Sequence, residues 1–390
     1  MQSSWLIMAS SGAAYVMLLV STILLGGCLK KTDQKVAIRV DASSQIGTGH
    51  FMRCLTLAEA LKQQGVHIRF VCRELPAHLG DMLADKAMEL ARLEAPEGMQ
   101  SAGGIAHAHW LGVSQARDVQ DTIEVLSDKI WDWIIVDHYA LDFRWESMLR
   151  KVARKILVID DIADRQHDCD MLLDQNYYTD MQTRYTGKVP AHCQLLLGPR
   201  YALLREEFRQ LREQAKPRSG SVRCILLFFG GVDVGNYTER AIEALSEMDV
   251  PDLHVDVVIG AQHPCRGQIE ATCAQHGFIC HVQTDRMAEL MAAADLAIGA
   301  GGSASLERCC LGLPALLVAL ADNQVDIAKA LDSAGACIYL GTKETTNTLT
   351  IQRAIANLSD KYDHLELISR HAASLVDGMG VNRVYQELGC

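Results

Sequence analysis

From Lys35 onward the chain repeats one pattern: a short apolar run, a tight turn rich in glycine or aspartate, then a helix-length amphipathic stretch. Runs that are mostly apolar, rather than strictly alternating with polar residues, belong to strands buried on both faces. That is the situation of a parallel sheet covered by helices. Val36–Val40 reads as such a strand, Gly47-Thr48-Gly49 as a tight loop, Met52–Gln64 as a helix stopped by Gly65, and His67–Cys72 as the next strand. Trp133–Val136 and Ile156–Ile159 are further strands, running into Asp137-His138-Tyr139 and Asp160-Asp161. A second cycle opens with the strand Cys224–Phe229, the turn Gly230-Gly231 and the helix Thr238–Met248; Val255–Ile259, Leu296–Ile298 and Ala315–Val318 continue it. The charged stretch Arg209–Arg223, broken by Pro217 and Gly220, separates the cycles. The fold class expected is α/β, with two Rossmann-like domains, residues 35–214 and 222–390, facing across a cleft. Ligands of such sheets bind at the carboxyl ends of the strands.

Hydrophobic residues at 49% and charged residues at 22% are ordinary globular usage, which excludes disorder, collagen and coiled coil. The 37 Lys and Arg against 48 Asp and Glu leave a net charge of −11. Such a chain repels a nucleic-acid backbone, while one phosphate-binding pocket remains compatible with it. The 13 cysteines are an odd number with no C-x-x-C pair, so they read as free thiols in a reducing compartment. His263, Cys265, Cys273, His276, Cys280 and His281 cluster in sequence but match no common zinc spacing, and no metal site is expected.

Residues 1–34 stand apart. Met1–Leu29 carries no charged side chain and is followed by Lys30-Lys31. As a helix, Trp5–Leu29 would be about 37 Å long, enough to cross a bilayer. It reads as a secretory signal, as a single-span anchor, or as residues added by a start assigned too far upstream. A signal lacks its basic n-region here, although Leu25-Gly26-Gly27-Cys28 looks like a lipoprotein cleavage box. The thiols also fit export badly. The other two readings place the body in the cytoplasm, tethered to the inner membrane if the segment is an anchor.

Two glycine turns carry the chemistry. Gly299-Ala300-Gly301-Gly302-Ser303-Ala304-Ser305-Leu306-Glu307 follows an apolar strand and opens a helix. Glycines let backbone N–H groups approach an anion, and the helix start adds a partial positive charge, so the loop suits a diphosphate. Ser303 and Ser305 can add hydroxyl donors, and Glu307 can accept from ribose hydroxyls. The loop is neither a Walker A nor a G-x-G-x-x-G motif. In the first half, Asp41–His50 again joins strand to helix, and His50 falls at the helix start, where the positive helix end favours the neutral imidazole that a base requires. Asp137-His138-Tyr139 and Asp160-Asp161 stand at strand ends facing the expected cleft; as aspartates they suit turns and caps as well as substrate contacts. Asp322-Asn323-Gln324, after the strand Ala315–Val318, offers amides suited to a sugar. There is no G-x-S-x-G elbow and no H-E-x-x-H, which disfavours serine-hydrolase and metalloprotease chemistry.

These stretches together resemble a known family. Val40–Cys54 closely resembles the opening of the UDP-2,4-diacetamido-2,4,6-trideoxy-β-L-altropyranose hydrolases of pseudaminic acid biosynthesis. The likeness continues through His109-Trp110-Leu111-Gly112, Val136–Tyr139, Asp160–Asp164, Tyr201–Phe208, Gly230–Asp233 and Gly299–Glu307 to Asp322-Asn323-Gln324, and leaves residues 1–34 outside. It implies a GT-B fold related to the peptidoglycan N-acetylglucosaminyltransferase, with a UDP-linked diacetamido trideoxy sugar as substrate and no cofactor. It also implies His50 as catalytic base, the Gly299–Glu307 loop on diphosphate and ribose, backbone near Met287 on the uracil, and Asn323 on the sugar. The candidate substrate contacts are then Gly47, Gly49, Tyr139, Gly231, Met287, Gly301, Gly302, Ser303, Ser305, Glu307 and Asn323. Two other readings share the cleft: a glycosyltransferase using a UDP-amino sugar, and a non-catalytic nucleotide-sugar binding protein.

Overall fold

The computed structural model describes residues 33–389 except 44, 96–104, 249, 360 and 361. The readings offered for the N-terminal segment therefore lie outside the described residues. Among the described residues, no helix is long and apolar enough to cross a membrane.

The strands of the first half are β1 Lys35–Val40, β2 His67–Cys72, β3 Glu89–Arg92, β4 Trp131–Asp137, β5 Ala153–Ile159, β6 Met171–Asp174 and β7 Gln194–Leu197. They form one sheet in the order β3-β2-β1-β4-β5-β6-β7, parallel at every pairing. The second half supplies β8 Cys224–Phe228, β9 His254–Ile259, β10 Ile279–Val282, β11 Leu296–Ala300, β12 Ala315–Ala319 and β13 Ile338–Thr342. Their order is β10-β9-β8-β11-β12-β13, again all parallel.

The central strands bury both faces, while the edge strands β3 and β10 are only partly buried. On one side of β1, Val36, Ile38 and Val40 pack with Phe51, Leu57 and Leu61; on the other, Ala37 packs with Ile134 and Val136. The helix Gly49–Gln63 forms because Phe51, Cys54, Leu55, Ala58 and Leu61 recur at three- and four-residue spacing and make one apolar stripe. In the second sheet Leu226, Ala297 and Leu317 face Met291 and Leu306, while Ile225, Leu227 and Ile298 face Ile242 and Leu245. Burial of each such side chain stabilises by about 1.5–3 kcal/mol, so truncation of Ile38 to alanine costs roughly 2–5 kcal/mol.

The last helix, Gly380–Leu388, does not stay with the second sheet. Val384 and Leu388 enter the core of the first, the Trp133 indole N–H donates to the Leu388 carbonyl at 3.0 Å, and Gln194 donates to Glu387 at 2.7 Å. The chain thus crosses between the halves twice, once at residues 205–223 and once before Gly380.

Each sheet reverses its strand order at one place, between β1 and β4 and between β8 and β11. A cleft opens at the carboxyl ends of strands that flank such a switch point, because the connecting helices leave to opposite faces. All four of these strand ends carry motifs singled out above: Asp41–His50 after β1, Asp137–Tyr139 after β4, Gly230-Gly231 after β8 and Gly301–Glu307 after β11.

Candidate active site

His50 is the second residue of the helix Gly49–Gln63, and its side chain is only 11% exposed. The register pairs Val40 of β1 with Asp137 of β4, which brings Asp137 beside the loop that carries His50. The His50 Nδ1 lies 2.6 Å from Asp137 Oδ1. Asp137 also accepts from Arg53, at 2.6 Å from Nε and 2.7 Å from Nη2. Burial pushes the Asp137 carboxyl up, but the Arg53 charge and the hydrogen bonds from Arg53 and His50 outweigh it and hold the group well below the usual carboxylate range. An ionised Asp137 can only accept, so Nδ1 carries the imidazole proton and Nε2 keeps its lone pair. Arg53 is one helical turn beyond His50 and its third N–H reaches Asp161 at 3.0 Å. Burial pulls the Arg53 pKa down and the paired carboxylates raise it further, well above its ordinary value.

An aromatic wall closes one side. The Tyr139 ring meets His50 edge-on at 4.7 Å, and Trp110 stacks on Tyr139 at 5.5 Å. The Tyr139 hydroxyl donates to Asp161, which also accepts from Asn176 at 3.1 Å. Burial, then the Asp161 charge, pushes the Tyr139 phenol well above its ordinary pKa, so it stays protonated. Tyr139 is thus buried and committed, and presents its ring rather than its hydroxyl. Trp110 was visible only inside the His109–Gly112 stretch, Asp161 only as one of two strand-end aspartates suited equally to turns and to substrate contact, and Arg53 and Asn176 had no distinguishing signal of their own; only the sheet brings them together.

The remaining residues named from the sequence fall as follows. His138 is buried against Asp41 at 3.2 Å. Asp160 accepts from the Ala163 amide at 2.9 Å and pairs with Arg165 at 2.9 Å, which makes it a turn-forming residue. Gly47 has φ +78° and closes the loop by donating its amide to the Ser43 carbonyl at 2.8 Å. In the second half, the Gly301 amide donates to the Val318 carbonyl at 3.2 Å, while the amides of Gly302 and Ser303 have no acceptor among the described residues. Gly302 is half-buried and Ser303 exposed. Ser305 is buried, and its hydroxyl accepts from Arg308 at 3.1 Å. Glu307 lies 3.7 Å from Arg205; burial pushes its carboxyl up, with Arg205 and Arg308 opposing. Met287 opens the helix Met287–Ala293 with its side chain in the core, so only backbone is available there. Gly231 accepts at its carbonyl from Gly260 at 3.0 Å. Asn323 is exposed at the start of the helix Asp322–Ser333, and Gln324 is turned back onto the Leu320 amide at 3.0 Å.

The two halves meet at the glycines. A Cβ placed on Gly49 would stand 3.6 Å from the Ser303 hydroxyl. The histidine-bearing helix start and the glycine loop of the second sheet therefore face each other directly. The cysteine and histidine cluster of residues 263–281 does not converge. His263 is buried near Asp233 at 3.7 Å and His281 pairs with Asp256 at 2.6 Å, and no group of three or more potential ligands for a metal ion occurs among the described residues.

Comparison with solved structures gives the architecture its name. MurG of Acinetobacter baumannii superposes with a TM-score of 0.63 at 18% identity, covering 92% of this chain and 99% of that one. UGT89C1 of Arabidopsis thaliana, complexed with UDP, superposes with a TM-score of 0.65 at 12% identity, covering 92% and 100%. The chain has the GT-B fold. Residues 226–379 match the glycosyltransferase family 28 C-terminal domain. Among curated relatives, the UDP-2,4-diacetamido-2,4,6-trideoxy-beta-L-altropyranose hydrolase of Campylobacter jejuni is 26% identical over 259 residues, 66% of this chain and 81% of the relative. The spore coat polysaccharide biosynthesis protein SpsG of Bacillus subtilis is 25% identical over 361 residues, 90% and 96%. The family that the sequence motifs resemble is thus represented among the relatives found.

Proposed function

We propose that this protein hydrolyses UDP-2,4-diacetamido-2,4,6-trideoxy-β-L-altropyranose, releasing UDP and the free 2,4-diacetamido-2,4,6-trideoxy-L-altrose for pseudaminic acid synthesis. The observation that carries the reading is the facing of His50, oriented by Asp137, against the glycine loop at Ser303 across the cleft. In this mechanism the amides of Gly302 and Ser303 hold the diphosphate, Glu307 the ribose and backbone near Met287 the uracil. Asn323, Gly231 and the Gly47–Gly49 loop border the sugar, and the ring of Tyr139 packs His50 into place. Water attacks the anomeric carbon on the face opposite UDP. Its proton passes to His50 Nε2, and the bond to the diphosphate oxygen breaks with its electrons left on UDP. UDP is a stable anion and leaves without a strong acid, so donors at the loop suffice for charge stabilisation and no metal ion is invoked. Free thiols and a UDP-linked substrate both fit the cytoplasm.

A second reading, transfer of the sugar to an acceptor, draws support from the family 28 domain match. Incubation of the protein with the altrose nucleotide and with UDP-N-acetylglucosamine, with no acceptor, separates the two. Rapid UDP release from the altrose nucleotide alone, abolished in His50→Ala with UDP binding retained, supports the hydrolase. UDP binding without release from either overturns it in favour of the transferase. Turnover unchanged in His50→Ala overturns the assigned base.

A further inference from the structure

Every deeply buried arginine needs its charge answered, because an isolated ion in a low-dielectric interior is costly. Arg39, Arg53 and Arg73 lie against aspartates at 2.6–3.0 Å. Arg218 has no aspartate or glutamate partner among the described residues, but its guanidinium is wrapped in backbone carbonyls, those of Leu311, Met291, Ala292 and Ala294 among them.

Arg308 differs from all of these. It is 2% exposed, it belongs to no ion pair among the described residues, and its Nε has no hydrogen-bond partner. One nitrogen, Nη2, makes both of its contacts, to the Ala300 carbonyl at 2.5 Å and the Ser305 hydroxyl at 3.1 Å. Its sequence neighbour Glu307 is turned to Arg205 instead. Burial draws the Arg308 pKa below the ordinary arginine value, the direction of a cation without a resident counter-ion. The guanidinium lies directly beneath the glycine loop: Nη1 is 2.9 Å from the position that a Cβ on Gly299 would take. Three and four residues further along the same loop, the amides of Gly302 and Ser303 are without acceptors among the described residues.

We infer that Arg308 is the fixed positive charge of a diphosphate site, a positioning residue that lies under the loop and is neutralised when the nucleotide's diphosphate binds above it. This rests on the UDP reading of the glycine loop and adds to it a residue that does not touch the ligand. By drawing the Ala300 carbonyl inward, Arg308 also turns the following amides outward. A charge held in low dielectric acts over several ångströms with little screening by salt.

The test compares UDP with uridine, which lacks the diphosphate, by isothermal titration of the wild type, Arg308→Met and Arg308→Lys. The methionine variant should weaken UDP by about tenfold or more, the range of one charge-assisted contact, and leave uridine within about twofold. The lysine variant, which keeps the charge, should recover most of the UDP affinity. Equal weakening of UDP and uridine, or no weakening of either, overturns the assignment, because a residue that only shapes the fold would act on both alike. Where the methionine variant fails to fold, recovery of UDP affinity by lysine still supports the assignment, and loss of UDP together with uridine in that variant overturns it. A wild type that binds no UDP overturns the nucleotide reading itself, and with it the role given to Arg308.

Discussion

Replacement of Asp137 by asparagine tests the dyad most directly. The carboxylate accepts four hydrogen bonds, one from His50 at 2.6 Å, two from Arg53 at 2.6 and 2.7 Å, and a long one from the Cys54 thiol at 3.5 Å. An asparagine amide offers one accepting oxygen. Oδ1 serves both His50 and Arg53 Nη2 while Oδ2 serves Arg53 Nε, so at either position the NH2 group confronts an Arg53 N–H and the set loses at least one hydrogen bond. With the NH2 group at the Oδ1 position, Nδ1 becomes an acceptor, the imidazole proton moves to Nε2, and the lone pair that would take the proton of water is lost. Loss of the charge-assisted hydrogen bond alone is worth about 1.5–3 kcal/mol, or roughly 10–150-fold in rate. The reversed tautomer extends the loss towards the whole contribution of a general base, about 10²–10⁴-fold. UDP release followed by anion-exchange chromatography should therefore show kcat down by about 10²-fold or more, with the UDP dissociation constant little changed. The His50→Ala/Asp137→Asn double variant should be no slower than His50→Ala, since Asp137 acts only through the imidazole. A kcat within about threefold of wild type, or losses that multiply in the double variant, would refute the dyad.

Three further outcomes follow from the same geometry. Gly299→Ala should abolish folding or UDP binding, because its Cβ would fall 1.9 Å from the Phe228 carbonyl oxygen and 2.9 Å from Arg308; thermal melting and titration with UDP check this. Asp174 is buried, and burial with the nearby Asp161 charge pushes its carboxyl up to about 8. Between the ordinary carboxylate range and pH 8 the folded state holds a proton there that the unfolded state lacks, so this group lowers stability as pH rises, on the order of 1 kcal/mol per unit. Asp174→Asn should flatten the fall of Tm from pH 5 to pH 8, and an unchanged pH dependence would refute the shift. Treatment with EDTA should leave UDP release unaltered, and a rate restored only by added divalent metal would contradict the metal-free mechanism.

The strands near the switch points were legible because they are mostly apolar, and most of them run into glycine or aspartate turns. The expected Val36–Val40, His67–Cys72 and Cys224–Phe229 correspond to Lys35–Val40, His67–Cys72 and Cys224–Phe228. The outer strands were not. Glu89–Arg92 and Ile279–Val282 lie at sheet edges and are only partly buried, so their sequences carry charge and histidine where a central strand would be apolar. Met171–Asp174 is wholly buried but too short to give a period. The last helix was assigned by chain order to the second half, and its return to the first sheet rests on Val384 and Leu388 meeting a surface some 180 residues or more away in sequence, which no local pattern encodes.

The site divides along the same line. His50 and the glycine loop announced themselves because each joins a strand to a helix with a conformation that few sequences permit. Asp137, Arg53 and Asp161 gave no such signal, since an aspartate at a strand end most often closes a turn, as Asp160 does. What sets Asp137 apart is its neighbour: β4 lies against β1 where the strand order reverses, and the same reversal between β8 and β11 sets the glycine loop. The composite cleft is therefore a consequence of topology applied twice. A histidine without the first switch point would lack its aspartate, and a glycine loop without the second would have no facing surface. Arg308 belongs to neither class, for its significance lies in a missing partner, and a missing partner can be recognised only after every neighbour of the guanidinium has been placed.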